Sequence, residues 1–526
     1  MSSAAANGHP PGETRPPVKL AATALALASV LIGKAMIACR LRRAPEGWRR
    51  TLGILLRSEP TRFALSAFAL RVPEGHAVGT REPAALDSRI AAELLVFLAT
   101  ESDAHFSLDW QPSVTERRRT QWVDVALLRF GEDGDLAAIE PHLSPGGEAL
   151  LAGEQRNEVH RTVIEAYNRT RRLPEVQRPA ALLDAASAKL PSPDARAYVS
   201  RLLAACCLSI EWSVLSDPAQ RFAPPDFCAR RTLGFGYLSV VARPDAAGRT
   251  TDIWVNAHHV GLDGVPLQEL VTRLEQTWGA GNDVTFPCVS GGIAFVGPYG
   301  CSAPGERRVH HALTFVDFSP VVALRRDLNA RLREAIGSEV TFGALLAWLL
   351  SREPEFTGVR IASTVDVAAS DGYERDVDVV VLRPADFVRG DGPWDGLVEY
   401  AREFNRLVAA ARTRTSPIRR SMQTAGLLPA WAHIQSIRAK PAILDETFGT
   451  LCVTIVRDAK VFVAPMSDLG MQHGFFAIGN VNLPGTDGRP VASVSIKGNA
   501  GQIARHPAVL QRLIDRCALP EGRQHV

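Results

Sequence analysis

The stretch Asn256–Leu270, NAHHVGLDGVPLQEL, holds four residues whose types and spacing could do chemistry: His258, His259, Asp263 and Gly264. A neutral imidazole titrates near neutrality, so it can take a proton from a thiol, a hydroxyl or an amine. Acyl transfer needs such a base, because the incoming nucleophile is weak until its proton is accepted. Asp263 closes the turn and fixes the loop through hydrogen bonds or an arginine partner. Gly264 permits a backbone conformation or a close approach that a side chain would block. The start of a helix nearby adds a partial positive charge.

A histidine in a globular protein is most often a satisfied polar residue with no catalytic duty, and this chain carries a second pair, His310-His311. That pair is followed by ALTFVDF, with no Asp-Gly at the same distance, and reads as part of a strand. The first pair stands apart because two histidines, an aspartate and a glycine occur together where a strand gives way to a helix.

The flanking elements follow from periodicity. GFGYLSVVARP (234–244) and TTDIWVNAHH (250–259) read as strands joined by the turn DAAG, and VPLQELVTRLEQTW reads as an amphipathic helix. Upstream, 87–101 has helical spacing, QWVDVALLRF (121–130) reads as a strand, and 148–210 reads as mainly helical. Residues 281–307 are dense in Gly and Pro and read as a junction between two halves, 46–280 and 308–526. Beyond it come a strand and helix in HHALTFVDFSPVVALRRDL, a helix at 340–352 and strands at 359–369 and 377–383. A long helix follows at 397–415, then the strands TLCVTIV, VFVAP and ASVSIKG, and a last helix, HPAVLQRLID. The alternation implies an α/β protein, with helices layered on mainly antiparallel or mixed sheets.

With 526 residues, of which 46% are hydrophobic and 22% charged, the chain can build two or more cores. A formal charge of +3 argues against a nucleic-acid binder. The eight cysteines form no C-x-x-C pair and no cluster with zinc-ligand spacing, so no metal and no structural disulfide is expected, in a reducing, cytoplasmic setting. No glycine-rich phosphate loop follows a strand. Residues 1–45 combine a polar tail with the apolar run Leu20–Cys39, which is long enough for a membrane span and reads equally as a small-residue helix buried in protein.

At an offset of 239, VNAHHVGLDGVPLQELVTRLEQ lies over VSIKGNAGQIARHPAVLQRLID without a gap: Val255 meets Val494 and Leu274 meets Leu513. His259 falls on Gly498 and Asp263 on Gln502, so one copy keeps its ionisable groups at these places and the other does not.

The segment His258–Gly264 matches the HHxxxDG signature of the chloramphenicol-acetyltransferase-like superfamily, which this chain therefore resembles. Residues 308–516 are also similar to the catalytic domain of 2-oxoacid dehydrogenase acyltransferases, with Ser467-Asp468-Leu469-Gly470-Met471 in place of its SNLGM segment. The region before 230 shows no such likeness, and there is no DFGWG motif and no lipoyl domain. The resemblance implies a condensation-type pseudo-dimer of two such folds, with a channel between them. It makes His259 the general base, Asp263 the holder of the loop, His258 its support and Ser467 a candidate oxyanion donor. The donor would be a thioester, acyl-CoA or an acyl or peptidyl carrier protein, and the acceptor a small molecule with a hydroxyl or amine. Two rival expectations are a non-catalytic scaffold that docks carriers, and a wax-ester-type acyltransferase associated with a membrane through Leu20–Cys39.

Overall fold

Two apolar segments dense in β-branched residues, Leu238–Pro244 and Thr250–His258, pair antiparallel at the heart of one sheet, with Val240 opposite Val255. The computed structural model describes residues 62–519 apart from internal stretches, the longest being 72–82, 212–232, 299–309 and 414–448. The apolar run Leu20–Cys39 lies outside the described residues, and no described helix is long and apolar enough to cross a membrane.

The first half of the described chain runs β1 (Arg62–Arg71), α1 (Pro83–Thr100), β2 (Phe106–Trp110), β3 (Thr115–Arg119), β4 (Val125–Phe130) and β5 (Leu136–His142). It continues through α2 (Pro145–Glu148), α3 (Gly153–Thr170), α4 (Arg178–Ser187), α5 (Pro193–Ala204), β6 (Cys206–Ile210), β7 (Leu238–Pro244), β8 (Thr250–His258) and α6 (Gly264–Trp278). The second half begins β9 (Phe295–Pro298), β10 (His310–Val316), α7 (Ser319–Ile336), α8 (Phe342–Ser351), β11 (Ile361–Val367), β12 (Asp376–Leu382) and α9 (Leu397–Thr413). It ends β13 (Leu451–Ile455), β14 (Val461–Val463), β15 (Gly474–Ile478), β16 (Leu483–Pro484), β17 (Pro490–Gly498) and α10 (Ala500–Ala518).

The strands form two large mixed sheets, ordered β14-β1-β8-β7-β6-β4-β5 and β9-β10-β17-β15-β13-β11-β12, with β2 and β3 as a separate hairpin. Strand directions also agree position by position. The β8–β7 pair is antiparallel, as is β17–β15, while β7–β6 and β6–β4 are parallel, as are β15–β13 and β13–β11. The chain thus contains the same sheet twice, and β8, which ends in His258, occupies in the first the place that β17 holds in the second. The internal echo read from the sequence is this duplication seen through one strand and one helix.

Helices pack on both faces of the first sheet, with α1 and α6 on one and α3, α4 and α5 on the other, and α7–α10 cover one face of the second. Leu267, Leu270, Val271 and Leu274 of α6 join Leu238, Val240, Val255 and Ala257 in one core. Ala362, Cys452, Phe475 and Ala477, from the second sheet, complete the same core, so it fastens the two halves together. A salt bridge from Lys460 to Glu275 of α6, 2.8 Å long, lies along the same junction. A second core gathers Leu345, Trp348, Ile361, Leu451, Phe476, Ile496 and Leu513 beneath α7–α10.

A crossing strand also links the sheets through backbone hydrogen bonds. Strand β14 belongs by sequence to the second half, yet it pairs with β1 at the edge of the first sheet, Ala64 opposite Val463 and Ser66 opposite Val461. The Gly/Pro-rich junction is likewise built into the second half: β9 pairs with β10, and Phe286 bridges to Gly485.

Four local expectations need correction, the first being the strand expected over 234–244, which begins only at Leu238. Residues 148–210 are helical only as far as Ala204; Cys206–Ile210 is a strand. It is five residues long and buried almost throughout, so it shows no alternation to betray it. The strand expected over 121–130 begins only at Val125. The last helix starts at Ala500, six residues before the expected His506, and carries Pro507 inside it. Its start is set by a capping box, in which Gln502 N–H donates to Asn499 Oδ1 at 2.9 Å and Asn499 N–H donates to Gln502 Oε1 at 2.8 Å. Asn499→Ala is expected to lower stability by about 1 kcal/mol, measured as a fall in the urea midpoint at unchanged slope.

Candidate functional site

Strand β8 ends at His258 and α6 begins at Gly264, so the HHxxxDG segment spans a strand-to-helix connection. His258 and Gly264 are its two ends, and Gly264 is buried. The five residues between them, with His259 and Asp263, lie outside the described residues, as does Ser467. What the structure does define is the frame around them.

The frame is rigid on the described side. The segment Thr251–Ala257 of β8 is buried throughout, flanked on one side by β7 and on the other by β1, where Arg62 stands opposite His258. Helix α6 is held by four apolar side chains on one face, and Gln268 Nε2 donates to Thr272 Oγ1 at 3.2 Å. The strand before the motif and the helix after it are thus both buried in the protein.

The second half reaches the same end of the first sheet. Both β8 and β14 run antiparallel to β1, so they run in the same direction, one on each side of it. Ala64 of β1 faces Asn256 on one side and Val463 on the other. Val463, the last residue of β14, therefore stands two strand spacings, about 10 Å, from Asn256. Strand β14 thus points toward the end of the sheet at which β8 ends. Ser467 follows four residues later.

The duplicated site in the second sheet is closed. At the place of His258 stands Lys497, opposite His311 of β10. At the place of His259 stands Gly498, where a Cβ would collide with the side chain of Gln502. Gln502 occupies the place of Asp263, fills the turn through the capping box and donates from Nε2 to the Gln472 carbonyl. No side chain other than hydrogen fits at Gly498 without opening that turn. His311 is 2% exposed, with Nε2 2.9 Å from Ser495 Oγ. Burial, and behind it the neighbouring Lys497, pull its pKa down to about 3. Burial likewise pulls Lys497 well below the usual lysine range. Both side chains are packed within the protein, and the expectation that the second histidine pair lies in a strand holds for His310 and His311.

The sequence reading did not single out the buried polar residues of β8 and its neighbours. Asn256 is 2% exposed and Ser239, its cross-strand neighbour, 1%. Asp252 and Arg243 face each other further along, and Arg243 Nε donates to Glu211 at 3.2 Å. Their signal was present in the sequence as two polar residues, Asp252 and Asn256, on the same face of the strand, four residues apart.

Among the described residues no group of three or more His, Cys, Asp or Glu could hold a metal ion. The cysteines described, Cys206, Cys207, Cys288, Cys452 and Cys517, are not joined in disulfides.

No family model matches the chain. No curated protein matches it in sequence. Solved structures do resemble it. A trichothecene 15-O-acetyltransferase from Fusarium sporotrichioides is 10% identical, with a TM-score of 0.43 over 90% of this chain and 94% of that one. The first condensation domain of the CDA synthetase is 12% identical, with a TM-score of 0.41 over 91% of this chain and 96% of its own. A wax ester synthase/diacylglycerol acyltransferase from Marinobacter aquaeolei VT8 is 11% identical, with a TM-score of 0.38 over 89% and 96%.

Proposed function

We propose that the protein is an acyltransferase that moves an acyl group from a thioester to a hydroxyl or amine, with His259 as general base. The donor is acyl-CoA or a carrier-protein thioester, and the acceptor is a small molecule. The observation that carries this reading is the asymmetry of the two copies. The first keeps the full His-His-Asp-Gly set at the junction of β8 and α6, whereas the second has packed the same junction shut with Gln502. A fold needing no base would have no reason to keep one copy intact beside a closed one.

The chemistry runs as follows. The acceptor oxygen or nitrogen attacks the thioester carbonyl carbon while the His259 imidazole takes its proton. Donors already in place stabilise the tetrahedral oxyanion, and Ser467, four residues after the end of β14 in sequence, is proposed as one of them. The C–S bond then breaks, the imidazolium returns the proton to the sulfur, and the products are an ester or amide and a free thiol. Asp263 holds the loop, and His258 at the end of β8 anchors it.

The test is incubation with mixed acyl thioesters and hydroxyl and amine acceptors, read by mass spectrometry for acylated product and free thiol. Absence of both from the intact protein, across short and long acyl chains, would leave a carrier-docking scaffold as the reading. Asp263→Asn is expected to lower kcat and to loosen the loop, seen as faster amide hydrogen exchange over 259–263. An unchanged rate with unchanged exchange would remove Asp263 from this role.

A further inference from the structure

The duplicated sheets allow a buried position in one half to be compared with its counterpart in the other. Asn256, on β8, corresponds to Ser495 on β17, each two residues before the place of the first motif histidine. Both are buried, at 2% and 1% exposure. Ser495 is satisfied from within, since its Oγ lies 2.9 Å from Nε2 of His311 on the adjacent strand. Asn256 is not: its Oδ1 is buried without a hydrogen-bond partner. Its two cross-strand positions are Ala64, which offers no donor, and Ser239.

Buried side-chain oxygens are rarely left unpaired, and each exception calls for a reason. Where the second, closed copy completes its bond internally, the first leaves an acceptor unpaired two residues, some 7 Å of strand, before the end of β8 at His258. We infer that Asn256, two residues before the end of β8 at His258, is a substrate-binding residue whose side-chain carbonyl accepts a hydrogen bond from an N–H or O–H of the substrate. The ligand chemistry is thus a polar donor group. Two sources could bring it: the amide-bearing pantetheine arm of the thioester, or the acceptor molecule itself. This rests on the proposed acyl transfer for the identity of the ligands, while the open acceptor stands on geometry alone. Leucine has nearly the same shape as asparagine and removes the oxygen. A merely structural asparagine would make Asn256→Leu less stable, whereas an orphaned acceptor predicts a melting temperature that holds or rises.

The experiment compares intact protein with Asn256→Leu in three measurements: melting temperature, calorimetric binding of coenzyme A, and KM for donor and acceptor. The donors are acyl-CoA and an acyl-mercaptoethanol thioester, which lacks the pantetheine amides. The expected result is an unchanged or higher melting temperature with a KM raised at least five-fold for one substrate. A rise for acyl-CoA but not for the mercaptoethanol thioester, with weaker coenzyme A binding, assigns the bond to the pantetheine arm. A rise for the acceptor with either donor assigns it to the acceptor. Equal coenzyme A binding and equal KM values overturn the inference, as does a fall in melting temperature with kinetics untouched. If the intact protein transfers no acyl group yet binds coenzyme A and loses that binding in Asn256→Leu, acyl transfer falls and the role of Asn256 stands. If it neither transfers an acyl group nor binds coenzyme A, both fall.

Discussion

His259→Ala is expected to lower kcat/KM for acyl transfer by about 10²–10⁴-fold, the range typical of losing a positioned general base, with no change in melting temperature. The connection is held from outside itself, by the buried Thr251–Ala257 of β8 and by Leu267, Leu270, Val271 and Leu274 of α6. Truncating one side chain between those anchors leaves both intact. The loss should fall on kcat, because the imidazole acts as the acceptor's proton leaves. A second signature separates loss of a base from loss of shape. The rate of the intact protein should fall as pH drops through the histidine range, and the rate of His259→Ala should lose that dependence. Full turnover in the variant would end the assignment. The closed second copy cannot take over, since Gly498 has no side chain and no room for one.

Trp348→Ala should have the largest effect on stability, about 3–5 kcal/mol for removal of a fully buried large aromatic. Helix α8 begins where Thr341 Oγ1 accepts the Ala344 N–H at 3.2 Å, and it is buried from Ala344 to Ser351. Trp348 is the hub of its packing. Its ring lies 5.4 Å from that of Tyr400, the Arg352 guanidinium sits 4.8 Å above it, and its Nε1 donates to the Pro393 carbonyl at 3.0 Å. Alanine removes these contacts together, leaves the Pro393 carbonyl without that donor and opens a cavity among α8, α9 and the second sheet. The measurement is the denaturant midpoint of the second half, followed by fluorescence of another tryptophan. Activity per folded molecule should not change, because the change lies beneath the helices of the closed copy. A shift below 1 kcal/mol would mean that the core recloses around the gap.

The chemistry-bearing segment and most of its supports were legible in the sequence because they obey short-range rules. Runs rich in β-branched residues on either side of a turn marked β7 and β8, helical spacing marked α6, α8 and α9, and two matching strand-turn-helix units marked the duplication. What escaped was whatever depends on distant partners. Cys206–Ile210 and Gly474–Ile478 are short strands buried on both faces, and burial on both faces erases the alternation by which strands are found. Pro507 drew the start of the last helix too late, because a proline is more often found at a helix start than seven residues inside one, and the capping pair Asn499 and Gln502 outweighed it. Val461–Val463 reads correctly as a strand, yet nothing local says that it joins the other sheet. Within the site, His258 and Gly264 take their expected places at the ends of β8 and α6, while Asn256 gained meaning only when Ser495 could be laid beside it.

The crossing strand carries a consequence for synthesis of the chain. Ser66 and Ala64 meet Val461 and Val463 only after almost four hundred further residues have been made. At ordinary translation speeds the first sheet, complete but for β14 once β8 has been made, waits about 10–40 s on the ribosome with one border unzipped. During that interval a nascent chain displays a row of hungry amides to any neighbour, the situation that invites strand theft between molecules. Chaperone demand should therefore peak late in translation and vanish once the three valine-flanked residues dock.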